Sequence, residues 1–166
     1  MPCYDGPALG PRARDGISCR SCTTAGNPSV RRRARGMRLG VVDAGIVIGW
    51  LQRRHRSLRR IETLMTACRR GRLRLAISVV NLAEVLIHTR ELARATGVDP
   101  VALVRACGVQ IHLPDESVAR RVAQLPTSLA DGFAAATAQE LGARLHTTDA
   151  ELARRLDHTR LPISRY

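Results

Sequence analysis

The chain has 166 residues, the length of one ordinary domain, and 45% of them are hydrophobic, enough for a substantial core. No apolar run approaches the roughly 18 residues a membrane-spanning helix needs, so a membrane protein is not expected. All 27 basic residues are arginine and they face 14 acids, a formal charge of +13 carried by guanidinium groups suited to bidentate phosphate contact. Nucleic acid is therefore a candidate partner, with a coding bias toward arginine as the plain alternative.

Residues 1–36 are rich in Gly, Pro, Ser and Arg and show periodicity of neither 3.6 nor 2. Such a segment buries too little apolar surface to offset its ordering entropy, and we expect a disordered basic extension. Cys19 and Cys22 have half the spacing of a zinc site, but no second pair follows at ligand spacing. Met37 directly precedes the first strand pattern, so initiation there would yield the folded part alone. That part, residues 37–166, keeps twenty arginines against twelve acids. Cys68 and Cys107 fall singly in apolar helical patterns, as small buried thiols do, and a reducing cytoplasm is the expected compartment.

Leu39-Gly-Val-Val42 is a short apolar strand that stops at Asp43. A brief helix over 46–54 precedes a longer one in which Leu58, Ile61, Leu64, Met65 and Cys68 recur at intervals of three and four residues. Leu73 to Val79 reads as the second strand and about Leu82 to Ala95 as a helix. A shorter helix follows from Pro100 to near Cys107, then a strand at Val109–Leu113 and helices over about 116–124 and 129–141. The chain closes with a strand at Arg144–Thr147, a helix at 149–156 and a possible edge strand at Leu161-Pro-Ile-Ser164. Strands separated by helical stretches of this length imply βαβ units, hence a mainly parallel sheet with helices on both faces. The strand order is not legible, but function in such sheets gathers beyond the carboxyl ends of the strands.

Acids recur at those junctions. Asp43 ends strand one. Glu84 lies three residues after Asn81, a capping-box spacing, and Asp131 stands in the same relation to Ser128. In Thr148-Asp149-Ala-Glu151 the pattern repeats, with Asp149 expected at the first helical position and Glu151 at the capping one. Acids in first turns ordinarily cap amides and offset the helix dipole, which accounts for any one of them. It accounts less well for Asp43, which has no capping residue before it. If the four carboxylates converge, their repulsion calls for protons or a divalent cation, and a set of oxygen donors favours Mg²⁺ or Mn²⁺ over Zn²⁺. Nucleotide-cradling glycine loops and a serine nucleophile elbow are absent. A divalent-metal phosphodiesterase, a phosphatase or phosphoryl-accepting receiver-like domain, and a non-catalytic RNA- or protein-binding module all remain open on the residues alone.

From about Met37 to Ser164 the chain resembles a PIN domain, and more narrowly the VapC-type ribonuclease toxins of VapBC toxin–antitoxin pairs. The resemblance rests on Val41-Val-Asp43-Ala, Asn81-Leu-Ala-Glu84-Val, Ser128-Leu-Ala-Asp131 with Ala134-Ala-Ala-Thr137-Ala, and Leu145-His-Thr-Thr148-Asp149. These stand in that order, with 41, 47 and 18 residues between successive acids. It implies a three-layer α/β/α PIN-like fold and an endoribonuclease that hydrolyses RNA phosphodiester bonds with Mg²⁺ or Mn²⁺. Asp43 and Asp131 match the principal metal ligands. Glu84 matches the glutamate that completes the site or positions water, Asp149 the fourth acid, and Thr148 a hydroxyl beside that acid. Family members often carry Ser or Thr soon after the first aspartate, where this chain has Ala44 and Gly45.

The resemblance also implies a small VapB-like antitoxin lying across the acidic groove and a toxin homodimer. Leu51, Leu58, Leu64 and Leu86 are candidates for apolar contact with a sister chain or partner, core packing being the ordinary alternative. Arginines between Arg53 and Arg74 form the pool for phosphate contact. Trp50 and Phe133 are the sole aromatics between residues 37 and 165, so base stacking is not expected to dominate RNA recognition.

Overall fold

The computed structural model describes residues 38–166, so the expected disordered extension and the Cys19–Cys22 pair lie outside the described residues. Five parallel strands form one sheet: β1 (Leu39–Val42), β2 (Arg74–Ser78), β3 (Val109–His112), β4 (Arg144–Thr147) and β5 (Ile163–Arg165). Their order is β3-β2-β1-β4-β5. From β1 the chain builds outward through β2 to β3, then returns to the other side of β1 for β4 and β5. The direction of winding therefore reverses between β1 and β4.

The helices are α1 (Ala44–Gln52), α2 (Leu58–Arg69), α3 (Val79–His88), α4 (Arg90–Thr96), α5 (Pro100–Ala106), α6 (Glu116–Val122), α7 (Leu129–Glu140) and α8 (Ala150–Arg155). Successive strand residues face opposite sides of the sheet, so one short strand feeds two cores. Val42, Leu75 and Ile77 join Ile46, Val47, Ile61, Met65 and Val85 on the side of α1, α2 and α3. Val41, Ala76 and Leu145 join Ala134, Ala135, Ala138, Leu152 and Leu156 on the side of α7 and α8. The result is a three-layer α/β/α arrangement with the apolar runs buried on both faces, as the βαβ pattern implied. The alanine face of α7 lets that helix lie close on the sheet.

Three local readings are corrected. The single helix expected over Leu82–Ala95 is two helices, divided at buried Thr89, whose backbone (φ −105°, ψ 7°) leaves the helical region while its hydroxyl donates to the Val85 carbonyl at 2.7 Å. The first of them begins earlier than its apolar periodicity suggested, since Ser78 caps it by accepting from the Val80 N–H. Asn81 is therefore not a cap, and Glu84 lies in the second turn. At α8 the roles are also reversed: Asp149 is the cap, accepting from the N–H groups of Glu151 and Leu152.

Cys68 and Cys107 are buried free thiols. Among the proposed contact leucines, Leu64 belongs to the core while Leu86 is exposed. No described helix is long and apolar enough to cross a membrane.

Candidate active site

Reversal of the winding between β1 and β4 sends α1 to one face of the sheet and α8 to the other, and it is at the carboxyl ends of strands so arranged that parallel sheets form their functional crevice. Asp43 stands there. Its N–H extends the β1–β4 ladder to the His146 carbonyl at 3.1 Å, and its Oδ1 accepts from the Ile46 N–H at 2.8 Å, so Asp43 is itself the cap of α1. Its Oδ2 accepts from the Thr147 hydroxyl, and the Thr148 N–H also reaches the carboxylate.

Only 4% of Asp43 is exposed. Burial pushes its pKa up to about 6, against the pull of these three hydrogen bonds, and the charge of Asp131 adds to the rise. A helix cap needs none of this desolvation. The carboxylate is held at the crevice with a standing electrostatic cost that a cation relieves.

Asp131 approaches from α7. Ser128 caps that helix, accepting from the Asp131 N–H at 3.3 Å and donating its hydroxyl to Asp131 Oδ2 at 2.6 Å, so the Ser128–Asp131 box forms. Glu84 is half-buried on α3, which packs against α7. Asn81 ties the two helices together, donating Nδ2 to the carbonyl of Ala130 at 3.0 Å. Its Oδ1 is buried without a hydrogen-bond partner. Asp149 is exposed and is engaged in capping α8, while its own N–H donates to Thr147 Oγ1 at 2.9 Å.

The four acids are thus not equivalent. Asp43 and Asp131 sense each other electrostatically; among the described residues no three Asp, Glu, His or Cys side chains are gathered closely enough to hold a metal ion. The donors still suit a hard divalent cation. They are two carboxylates whose charges interact, one of them deeply buried. The remaining positions of such an ion are ones water fills.

Two hydroxyls at the end of β4 explain what the Ala44-Gly45 turn does. Thr147, overlooked in the sequence, supplies the hydroxyl to Asp43 from the adjacent strand. Its role depends on β1 and β4 being neighbours, which no local pattern announces. Thr148 packs over Gly45, where an added Cβ would lie 2.3 Å from Thr148 Oγ1 and 3.5 Å from Asp43 Oδ1. A side chain at Gly45 and this placement of Thr148 are mutually exclusive.

Thr147→Val removes one donor to Asp43 and leaves the Asp149 N–H without its acceptor. The expected cost is about 1–3 kcal/mol in chemical denaturation. Because the lost bond lowers the pKa of Asp43, that pKa should rise further, which carboxyl NMR titration reads directly. An unchanged titration would remove Thr147 from the site.

A PIN domain family model matches residues 40–157 of the chain. Among solved structures, the DNA-bound VapBC of Salmonella typhimurium is similar at 18% identity, covering 78% of this chain and 98% of that one, with a TM-score of 0.55. VapBC2 of Rickettsia felis, bound to a promoter DNA fragment, aligns at 15% identity over 77% and 98%, with a TM-score of 0.56. VapC20 of Mycobacterium tuberculosis, a sarcin–ricin loop cleaving toxin, aligns at 12% identity over 69% and 93%, with a TM-score of 0.52. No curated protein sequence matches the chain. These likenesses carry the fold, and the family match spans both the strand that delivers Asp43 and the helix that delivers Asp131. The chain belongs to the PIN domain family.

Proposed function

We propose that this chain is a divalent-metal-dependent endoribonuclease and the toxin of a type II toxin–antitoxin pair. The observation that carries the reading is the buried Asp43 carboxylate, coupled to Asp131 where the winding of a parallel sheet reverses. Asp43 and Asp131 would hold Mg²⁺ or Mn²⁺, with Glu84 and Asp149 completing the acidic set. When bound, the ion supplies charge neutralisation at the scissile phosphate and acidifies a water.

The chain's own groups do the rest. Hydrogen bonds from Ile46, Thr147 and Thr148 fix the Asp43 oxygens before substrate arrives, so little reorganisation accompanies the reaction. Thr148 keeps its hydroxyl at the same turn, beside the incoming phosphate. Glu84 orients the attacking water in line with the departing 3′ oxygen, leaving 5′-phosphate and 3′-hydroxyl ends. The arginine excess raises the local concentration of RNA and suits backbone contact more than base reading.

The VapBC neighbours support a small VapB-like antitoxin as partner; in this reading it places a basic side chain against these carboxylates, and the toxin pairs as a homodimer. Leu129, 68% exposed two residues before Asp131, offers such a partner apolar surface at the edge of the site. A phosphoryl-accepting role is less well served. Both Asp43 oxygens are engaged in hydrogen bonds, and the chain has no lysine to assist transfer.

Purified chain is expected to cleave structured RNA with Mg²⁺ or Mn²⁺, to stop in EDTA and to resume when the ion is restored. Coexpression with a cognate antitoxin should restore growth to cells that the chain alone arrests. Cleavage indifferent to EDTA would overturn the metal-dependent reading. A growth arrest unrelieved by a partner that binds would overturn the inhibitory pairing.

A further inference from the structure

A second cavity, of about 620 Å³, lies at the opposite end of the sheet, where the amino ends of β1, β2, β4 and β5 meet. Arg38, Arg144, His146 and Ser164 supply its polar lining, with Leu39 and Pro162 among its apolar walls. Among the described residues no acid lines it. Arg144, His146 and Ser164 share one face of the sheet, because β4 and β5 pair His146 with Ser164 in register and side chains two apart point the same way.

The imidazole is held by a built arrangement. His146 is only 6% exposed, and it lies over Gly40, where a Cβ would stand 2.6 Å from Nε2. Its Nδ1 is 3.1 Å from the Tyr166 hydroxyl. The Tyr166 ring is covered by the Arg60 guanidinium at 4.8 Å, and Arg60 is anchored on the Arg165 carbonyl at 2.9 Å. The tautomer in which the Tyr166 hydroxyl donates to Nδ1 carries its proton on Nε2, and it is the one a bound anion would select. Arg144 is positioned by the Ile163 carbonyl at 3.3 Å and by Ser164 Oγ at 3.4 Å, which leaves the serine proton free to donate.

A cavity with two guanidinium groups, an imidazole N–H and a hydroxyl, and no acid, selects an anion. Its volume falls in the roughly 300–1,000 Å³ range of small-molecule pockets and far exceeds a bare phosphate, while the apolar walls suit a sugar and base. We propose that this cavity binds a nucleoside 5′-monophosphate, with the phosphate on Arg38 and Arg144 and the nucleoside against Leu39 and Pro162. The shared chemistry has two sources, a free mononucleotide or the 5′-phosphorylated end of an RNA. The cavity is distinct from the Asp43 site, since most of its lining gathers at the amino ends of the strands, while the His146 carbonyl accepts from the Asp43 N–H on the way to the other end.

Calorimetric titration of the full-length chain in EDTA tests this, using adenosine 5′-monophosphate, adenosine and inorganic phosphate as probes. The nucleotide should bind more tightly than either fragment, and equally to wild type and to Asp43→Asn, which separates this cavity from the crevice. Arg38→Gln, at an exposed rim position, and Arg144→Gln should each weaken binding about tenfold. Gly40→Ala should weaken it without removing any polar group, by displacing His146. A 5′-phosphorylated trinucleotide that binds as well as the monophosphate, while its 5′-hydroxyl form does not, identifies an RNA end as the source. Failure of both trinucleotides beside nucleotide binding identifies the free ligand. Inorganic phosphate binding as tightly as the nucleotide would mean an adventitious anion only, and affinity unchanged in both arginine variants would equally overturn the proposal.

Discussion

Asparagine at position 43 is expected to lower RNA hydrolysis on the order of 10³-fold, the scale of losing a preorganised electrostatic group at the reacting charge. The substitution is nearly isosteric. The amide oxygen still caps α1 through the Ile46 N–H, and the amide nitrogen can donate to Thr147 Oγ1, so the fold is retained. RNA affinity should hold or increase, because a negative charge facing phosphate is removed. Cleavage and binding measured on the same RNA, with circular dichroism as the fold control, give the comparison. Equal cleavage by wild type and D43N would exclude Asp43 from catalysis, and a parallel loss of affinity would make it a binding residue only.

Stability of the metal-free protein should respond to the same substitution in the opposite direction. Asp43 has a pKa of about 6 in the folded chain and about 3.9 when unfolded. Between these values the folded state holds the proton that the unfolded state has released, so stability falls as pH rises from about 4 to 6. The loss levels off above that window, at about 2–3 kcal/mol. In EDTA, D43N and wild type should be of similar stability at pH 4, and D43N the more stable by about that amount at pH 7.5. Added Mg²⁺ should close the gap by stabilising wild type alone, by about 2.7 kcal/mol at a hundredfold excess over its Kd. Urea melts at the two pH values, with and without the ion, measure all four corners. Wild type as stable as D43N at pH 7.5 in EDTA would mean that Asp43 is not electrostatically strained.

Much of the fold was legible because its causes are local. Leu39–Val42, Arg144–Thr147 and the periodic run from Leu58 to Cys68 announce themselves through apolar content and spacing, and alternation of strands with helices implies a parallel sheet covered on both faces. Asp43 and Asp131 stood out for a similar reason, one ending an apolar strand and the other three residues after a capping serine. Helix boundaries were less legible where side chains competed with periodicity. Ser78 started α3 early and Thr89 divided a run that hydrophobic spacing left continuous, both through short-range hydrogen bonds to the backbone.

What lay beyond the sequence depends on which strands are neighbours. Pattern along the chain says that β1 and β4 exist, but pairing residues a hundred positions apart is decided by how two cores pack on the two faces of one sheet. That pairing brings the Thr147 hydroxyl to Asp43, seats Thr148 over Gly45 and lays the His146 side chain over Gly40. It also distinguishes the four acids, burying Asp43 within reach of the charge of Asp131 and leaving Asp149 exposed. Residue types and spacing determined the fold class and the candidate acids. The desolvation that distinguishes Asp43 from an ordinary helix cap arises only when distant segments close around it, because burial belongs to the assembled tertiary structure and to no segment of the chain.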